Sequence, residues 1–198
     1  AAIAAQDPAY DAGTRGSYNT VNIGFILGEV VRNVTGQNVG EFIRNEISAP
    51  LNAEYQIGLS DDEVKLLSDM FLNKDNAFWA MGADPDSNLH RAWSGKPTSG
   101  DFLNSDHIRK GVFPAFGGHG NARGVATIYA ALAGGGKVNG ARILSEAAVK
   151  RASTLVWEGE CYMTGWNLRM GLGFEKNSPY YIPMGDNSAA FGKFGSGG

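Results

Sequence analysis

Apolar residues recur at helical spacing over residues 21–34, where Val21, Ile23, Phe25, Ile26, Leu27, Val30, Val31 and Val34 fall, with Gly36 as a stop. The pattern predicts a largely buried helix. A second run at 39–47 places Phe42, Ile43 and Ile47 on one side. Pro50 follows; it has no N–H and its ring crowds the preceding turn, so it is expected to stop that helix. The two runs read as a helical hairpin. Residues 53–59 read as a short extended segment, and 61–69 opens with acids that suit a helix N-terminus.

Between residues 73 and 116, Pro, Gly, Asp, Asn and Ser come at short intervals around isolated aromatics such as Trp79 and Trp93. This predicts a long irregular excursion, of the kind that shapes substrate sites. Order resumes at Asn121, a side chain able to cap a helix over 122–133 whose apolar face is Val125, Ile128, Tyr129 and Leu132. Gly134-Gly135-Gly136 ends it. Asn139-Gly140, set between Lys137-Val138 and Ala141-Arg142-Ile143, has the residue types that a tight hairpin turn needs for positive φ. Ser145 then caps a helix to about Ser153. From Met163 the pattern changes to short glycine-punctuated segments, among them 168–174 and 189–198, which read as strands of a sheet.

The 198 residues suit one domain with a real core. The 28 glycines gather in loops without a periodic repeat, which excludes a collagen-like chain. Seventeen basic and twenty acidic side chains leave a net charge of -3. No basic run is long enough to track a phosphate backbone, so nucleic acid is not expected as a partner. No apolar stretch approaches the roughly 18 to 20 residues that span a bilayer, so no membrane partner is expected either. The single cysteine, Cys161, forms no internal disulfide.

Two segments carry candidate chemistry. Tyr18 stands just before the first helix, in Gly16-Ser17-Tyr18-Asn19-Thr20. A phenol with an ordinary pKa of about 10 acts as a base near neutrality only where positive charge favours the phenolate, and a lysine from elsewhere in the fold is the natural source. Lys193-Phe194-Gly195-Ser196 supplies a lysine followed by small residues on an expected edge strand, where glycine lets a substrate approach the backbone. A main-chain N–H just after Gly195 is placed to meet a developing oxyanion. On local sequence alone Tyr18 also reads as packing at a helix start, and Lys193 as a surface lysine near a turn. His90, His107 and His119 show no metal-ligand spacing, and neither a metal nor a cofactor is expected.

Taken together, these segments resemble the serine β-lactamase and penicillin-binding-protein type of hydrolase, most closely the family VIII carboxylesterases. The stretch from Tyr18 to Leu51, "YNTVNIGFILGEVVRNVTGQNVGEFIRNEISAPL", follows the family's tyrosine-bearing segment element by element. "GGHGNARGVATIYAALAGGGKVNGARILSEAAV" resembles its structural helix and hairpin, and "FGKFGSGG" its third motif. The resemblance implies an α+β fold of the β-lactamase/transpeptidase type, an antiparallel sheet packed against helices. It assigns proton transfer to Tyr18, the first position of the third motif to Lys193, and an oxyanion-hole N–H to Ser196. Phe194, Gly195 and Trp93 are expected to line the substrate site.

The family's nucleophile motif, Ser-x-x-Lys, is missing: none of the thirteen serines has Lys three positions later. In the family it lies upstream of the tyrosine. The expectation is therefore one β-lactamase-like domain over residues 1–198, lacking the segment with the nucleophile and its final C-terminal elements. Thr20 stands where lactamases of this type have the asparagine of Tyr-x-Asn, and Phe194 replaces the hydroxyl residue of Lys-Thr-Gly. Loss of a hydroxyl that would bind a β-lactam carboxylate tilts the expected substrate toward small uncharged esters. β-Lactam or D-amino-acid peptide hydrolysis, and a non-catalytic binding role, are the alternatives.

Overall fold

The computed structural model describes residues 3–71, 77–93 and 99–195, with backbone alone at 77–79 and 93. It separates into two compact units: a sheet unit of Ala1–Asn19, Asn73–Lys96 and Arg151–Gly198, and a helical unit of Thr20–Leu72 and Pro97–Lys150.

In the helical unit, α1 (Asn22–Thr35) ends at Gly36, whose φ of 76° lets its N–H reach the Arg32 carbonyl. The helix is where expected, but it is not largely buried: Gly24 is its one buried residue, while Leu27, Val30 and Val34 are 55%, 53% and 80% exposed. The reason lies in which face packs. A Cβ on Gly24 would sit 2.6 Å from the Ala115 nitrogen, and one on Gly28 would touch Val39 and Pro114. The helix therefore approaches its neighbours through glycines, and the bulky residues flank that line of contact.

The second helix also differs from expectation. α2 (Val39–Ile43), opened by a reciprocal Asn38–Glu41 capping box, runs into a π-helical turn at Arg44–Ser48 and on into α3 (Ala49–Leu51). Pro50 does not stop the chain, because it enters as an early residue of α3, where its missing N–H leaves no bond unmade. The widened turn ahead carries the Ala49 N–H to the Arg44 carbonyl.

Strand β1 (Tyr55–Ile57) pairs antiparallel with β2 (Gly118–Gly120), which places His119 on a strand. Next, α4 (Asp61–Val64) is capped by Ser60 and Glu63 but lasts only four residues of the expected 61–69. Leu66 and Phe71 beyond it are 85% and 90% exposed, so nothing packs to prolong it. Among its described residues, the expected irregular excursion holds four short helices: α5 (Ala77–Ala83) and α6 (Asn88–Trp93) in the sheet unit, α7 (Gly100–Leu103) and α8 (Asp106–Lys110) in the helical one.

Later elements follow the sequence closely. α9 (Ala122–Ala133) is capped by Asn121, whose side chain accepts the Gly124 N–H. β3 (Lys137–Val138) and β4 (Ala141–Arg142) form a hairpin with φ of 49° and 86° at Asn139 and Gly140. Ser145 Oγ accepts the Ala148 N–H at 3.1 Å and opens α10 (Glu146–Ser153). Leu51, Ala53 and Ala131 form the core of the helical unit, with Ile47, Ile128 and Ile143 against them.

The sheet unit carries β5 (Trp157–Glu160), β6 (Asn167–Met170), β7 (Glu175–Lys176) and β8 (Phe191–Gly192), antiparallel in that order. The strand expected at 168–174 is divided: Gly173, at φ 86°, turns β6 into β7. Of the segment 189–198, Phe191 and Gly192 alone form a described strand. Among the described residues no helix is long and apolar enough to cross a membrane, and no group of three His, Cys, Asp or Glu side chains is placed to hold a metal.

Candidate active site

A cavity of about 220 Å³ opens in the sheet unit, lined by Tyr18, Thr164, Trp166, Leu168, Glu175, Tyr181, Ile182, Lys193, Phe194 and Gly195. Tyr18 reaches it through the segment before α1, which is held by the sheet unit itself. The Tyr162 N–H donates to the Gly16 carbonyl at 3.0 Å, and the Tyr18 N–H donates to Cys161 Sγ at 3.2 Å. Gly16 lies so close to the Trp157 ring that a Cβ there would fall 2.3 Å from it, so only glycine fits. Cys161, wholly buried, is thus a backbone anchor for Tyr18.

Lys193 comes from the opposite end of the chain, one residue past β8. Glu175, opposite Gly192 in the ladder, is 4% exposed, and its Oε1 lies 2.5 Å from Lys193 Nζ. The same ammonium stands over the Tyr18 ring, 4.6 Å from its centroid. Glu175 Oε2 is shielded from solvent and has no hydrogen-bond partner among the described residues, so this carboxylate is balanced chiefly by the ion pair.

The third wall is a loop between β7 and β8 knitted by Asn177. Its amide donates to the Gly185 and Asn187 carbonyls at 2.8 and 2.9 Å, and its oxygen accepts the Met184 N–H at 2.8 Å. The Ser178 N–H donates to the Ile182 carbonyl, and Tyr181 packs on Trp166 with ring centroids 4.7 Å apart.

Burial first, then the negative charge of Glu175, pushes the Tyr181 phenol up to about 12. A phenol raised from 10 makes its contribution to stability in full below pH 10 and loses it as pH rises toward 12. In a titration by ultraviolet absorbance, one tyrosine is expected to ionise last, near pH 12, and to vanish from the curve in Tyr181→Phe. An unchanged curve would place Tyr181 among the ordinary phenols.

Of the residues singled out from sequence, Tyr18, Lys193, Phe194 and Gly195 come together in this cavity. Ser196 lies outside the described residues, and Trp93 ends α6 with its side chain outside them. Sequence reasoning missed Glu175, Trp166, Thr164 and Tyr181. The one signal for Glu175 was a charged residue between Phe174 and the ladder position of Lys176, which reads as a solvated strand face.

The beta-lactamase family profile matches residues 1–198. The esterase/beta-lactamase LipL of Mycobacterium tuberculosis (strain ATCC 25618 / H37Rv) is 25% identical over 193 residues, 93% of this chain and 44% of that protein. A penicillin-binding-protein homolog from Caulobacter crescentus superposes with a TM-score of 0.79 at 28% identity, covering 96% of this chain and 50% of that one. A family VIII carboxylesterase gives 0.81 at 30%, covering 96% and 49%. EstA from Arthrobacter nitroguajacolicus Rue61a gives 0.83 at 25%, covering 97% and 51%. The chain spans about half the length of these relatives, and it has their β-lactamase/transpeptidase-like fold. Over residues 1–198, the chain belongs to the beta-lactamase family.

Proposed function

We propose that this chain forms the tyrosine and lysine wall of a serine hydrolase that acts through an acyl-enzyme on small carboxylic esters. The observation that carries the reading is the meeting of Tyr18 and Lys193, with the ammonium 4.6 Å from the ring centroid inside one cavity. A phenol and an ammonium meeting inside one cavity are the kinds of group that general acid–base transfer uses.

In the reaction that the family resemblance implies, the hydroxyl of a Ser-x-x-Lys serine attacks the ester carbonyl. Its proton passes to Tyr18 or to the motif's lysine. The tetrahedral oxyanion is held by main-chain N–H groups, with Ser196 as one donor. Collapse breaks the acyl–oxygen bond, and the alcohol leaves with the proton. Water, deprotonated by the same group, then releases the acid. Trp166, Leu168, Ile182 and Phe194 offer an acyl group an apolar surface. The names of the relatives, an esterase/beta-lactamase and a family VIII carboxylesterase, support ester substrates. β-Lactam or D-amino-acid peptide hydrolysis is the second reading, favoured by the penicillin-binding-protein homolog.

Denaturing intact-mass analysis of the native preparation after exposure to a fluorophosphonate tests the proposal. A species above 21.0 kDa with one adduct is expected. A sole unlabelled species at 21.0 kDa would overturn it in favour of a non-catalytic binding role.

A further inference from the structure

The cavity holds two opposite charges, and their arrangement bears on what it admits. A lone ammonium in a partly buried wall would make the site cationic and draw in carboxylates. Lys193 is not alone: Glu175 Oε1 stands 2.5 Å away, with Glu175 4% exposed and its Oε2 shielded and without a hydrogen-bond partner among the described residues. The field of such a pair falls off faster with distance than that of a single charge. An incoming carboxylate would have to displace a preorganised carboxylate from Lys193 or sit beside it, and like charges so close oppose each other. The remaining walls, Trp166, Leu168, Ile182 and Phe194, have no formal charge.

We propose that Glu175 is a specificity-determining residue: by neutralising Lys193 within the cavity wall, it makes the site select uncharged acyl groups over carboxylates. The inference rests on the reading of this cavity as an acyl site, and it extends that reading from Phe194, which only lacks a hydroxyl, to a residue that actively opposes anions.

The test is non-covalent and needs no nucleophile. Benzamide and benzoate, a neutral and an anionic ligand of one shape, are titrated into the 198-residue chain while the NMR signal of the Trp166 indole is followed. Benzamide is expected to bind at least about tenfold more tightly than benzoate, a difference of about 1.4 kcal/mol. In Glu175→Gln, benzoate affinity is expected to rise about tenfold while benzamide changes less than about twofold, a charge-selective response that mere loosening of the wall would not give.

Equal or tighter binding of benzoate by the unaltered chain, or no shift at Trp166 with benzamide, overturns the proposal. So does a Glu175→Gln variant that folds and still discriminates against benzoate. Where Glu175→Gln does not fold, E175Q/K193M, which removes both charges, is expected to keep the preference for benzamide, and tight benzoate binding by it overturns the proposal. Failure of the fluorophosphonate experiment alone would sink the hydrolase reading and leave this preference standing.

Discussion

In a hydrolase that carries Ser-x-x-Lys together with this chain, Tyr18→Phe is expected to lower kcat by about 10²- to 10⁴-fold, the range typical of a lost general acid–base group. The substitution removes one oxygen. The ring stays available under Lys193 Nζ, and the bond from the Tyr18 N–H to Cys161 Sγ is a backbone contact that the variant keeps. Turnover of a small p-nitrophenyl ester, with circular dichroism to verify the fold, checks it. Unchanged turnover would remove Tyr18 from the mechanism.

The largest loss of stability is expected from Gly136→Ala. Gly136 has φ 89°, and a Cβ there would sit 2.1 Å from the Leu144 carbonyl oxygen, an atom that cannot swing away. Its own N–H donates to the Ala131 carbonyl at 2.7 Å, and its carbonyl accepts from the Ile143 N–H at 2.9 Å, so it ties α9 to the residue that follows β4. Left-handed strain of about 1–2 kcal/mol and overpacking of about 1–3 kcal/mol act together, which predicts a loss of roughly 3 kcal/mol in urea denaturation. Gly140→Ala separates the two effects. With φ 86° and open space around its Cβ position, it should lose only about 1–2 kcal/mol, the strain alone. Equal losses at the two positions would show that the clash at Gly136 is relieved.

How far the sequence announced this structure depends on whether the signal was local. The end of α1 at Gly36, the Asn121 cap of α9 and the Asn139-Gly140 turn are each written in one or two residues, and each stands where those residues place it. Burial of α1 was misread, because periodicity identifies an apolar face without saying what covers it. Pro50 was misread because a stop rule for a regular α-helix does not foresee a π-turn that resets the register before it. At the cavity, Tyr18 and Lys193 were legible through motif likeness. Glu175 was not: its place opposite Gly192 is a matter of ladder register, and a carboxylate beside Lys176 in sequence carries no mark of burial.

The cavity draws on Tyr18 and Lys193, and the helical unit lies in the sequence between them. Closing so long a loop is entropically slow and is not rewarded until β8 docks. As the chain leaves the ribosome, β8 and Lys193 emerge after every other described element. The helical unit therefore has its whole sequence available while the pocket still lacks a wall. Until β8 is made, the Tyr18 side of the cavity stands without the ammonium that faces it.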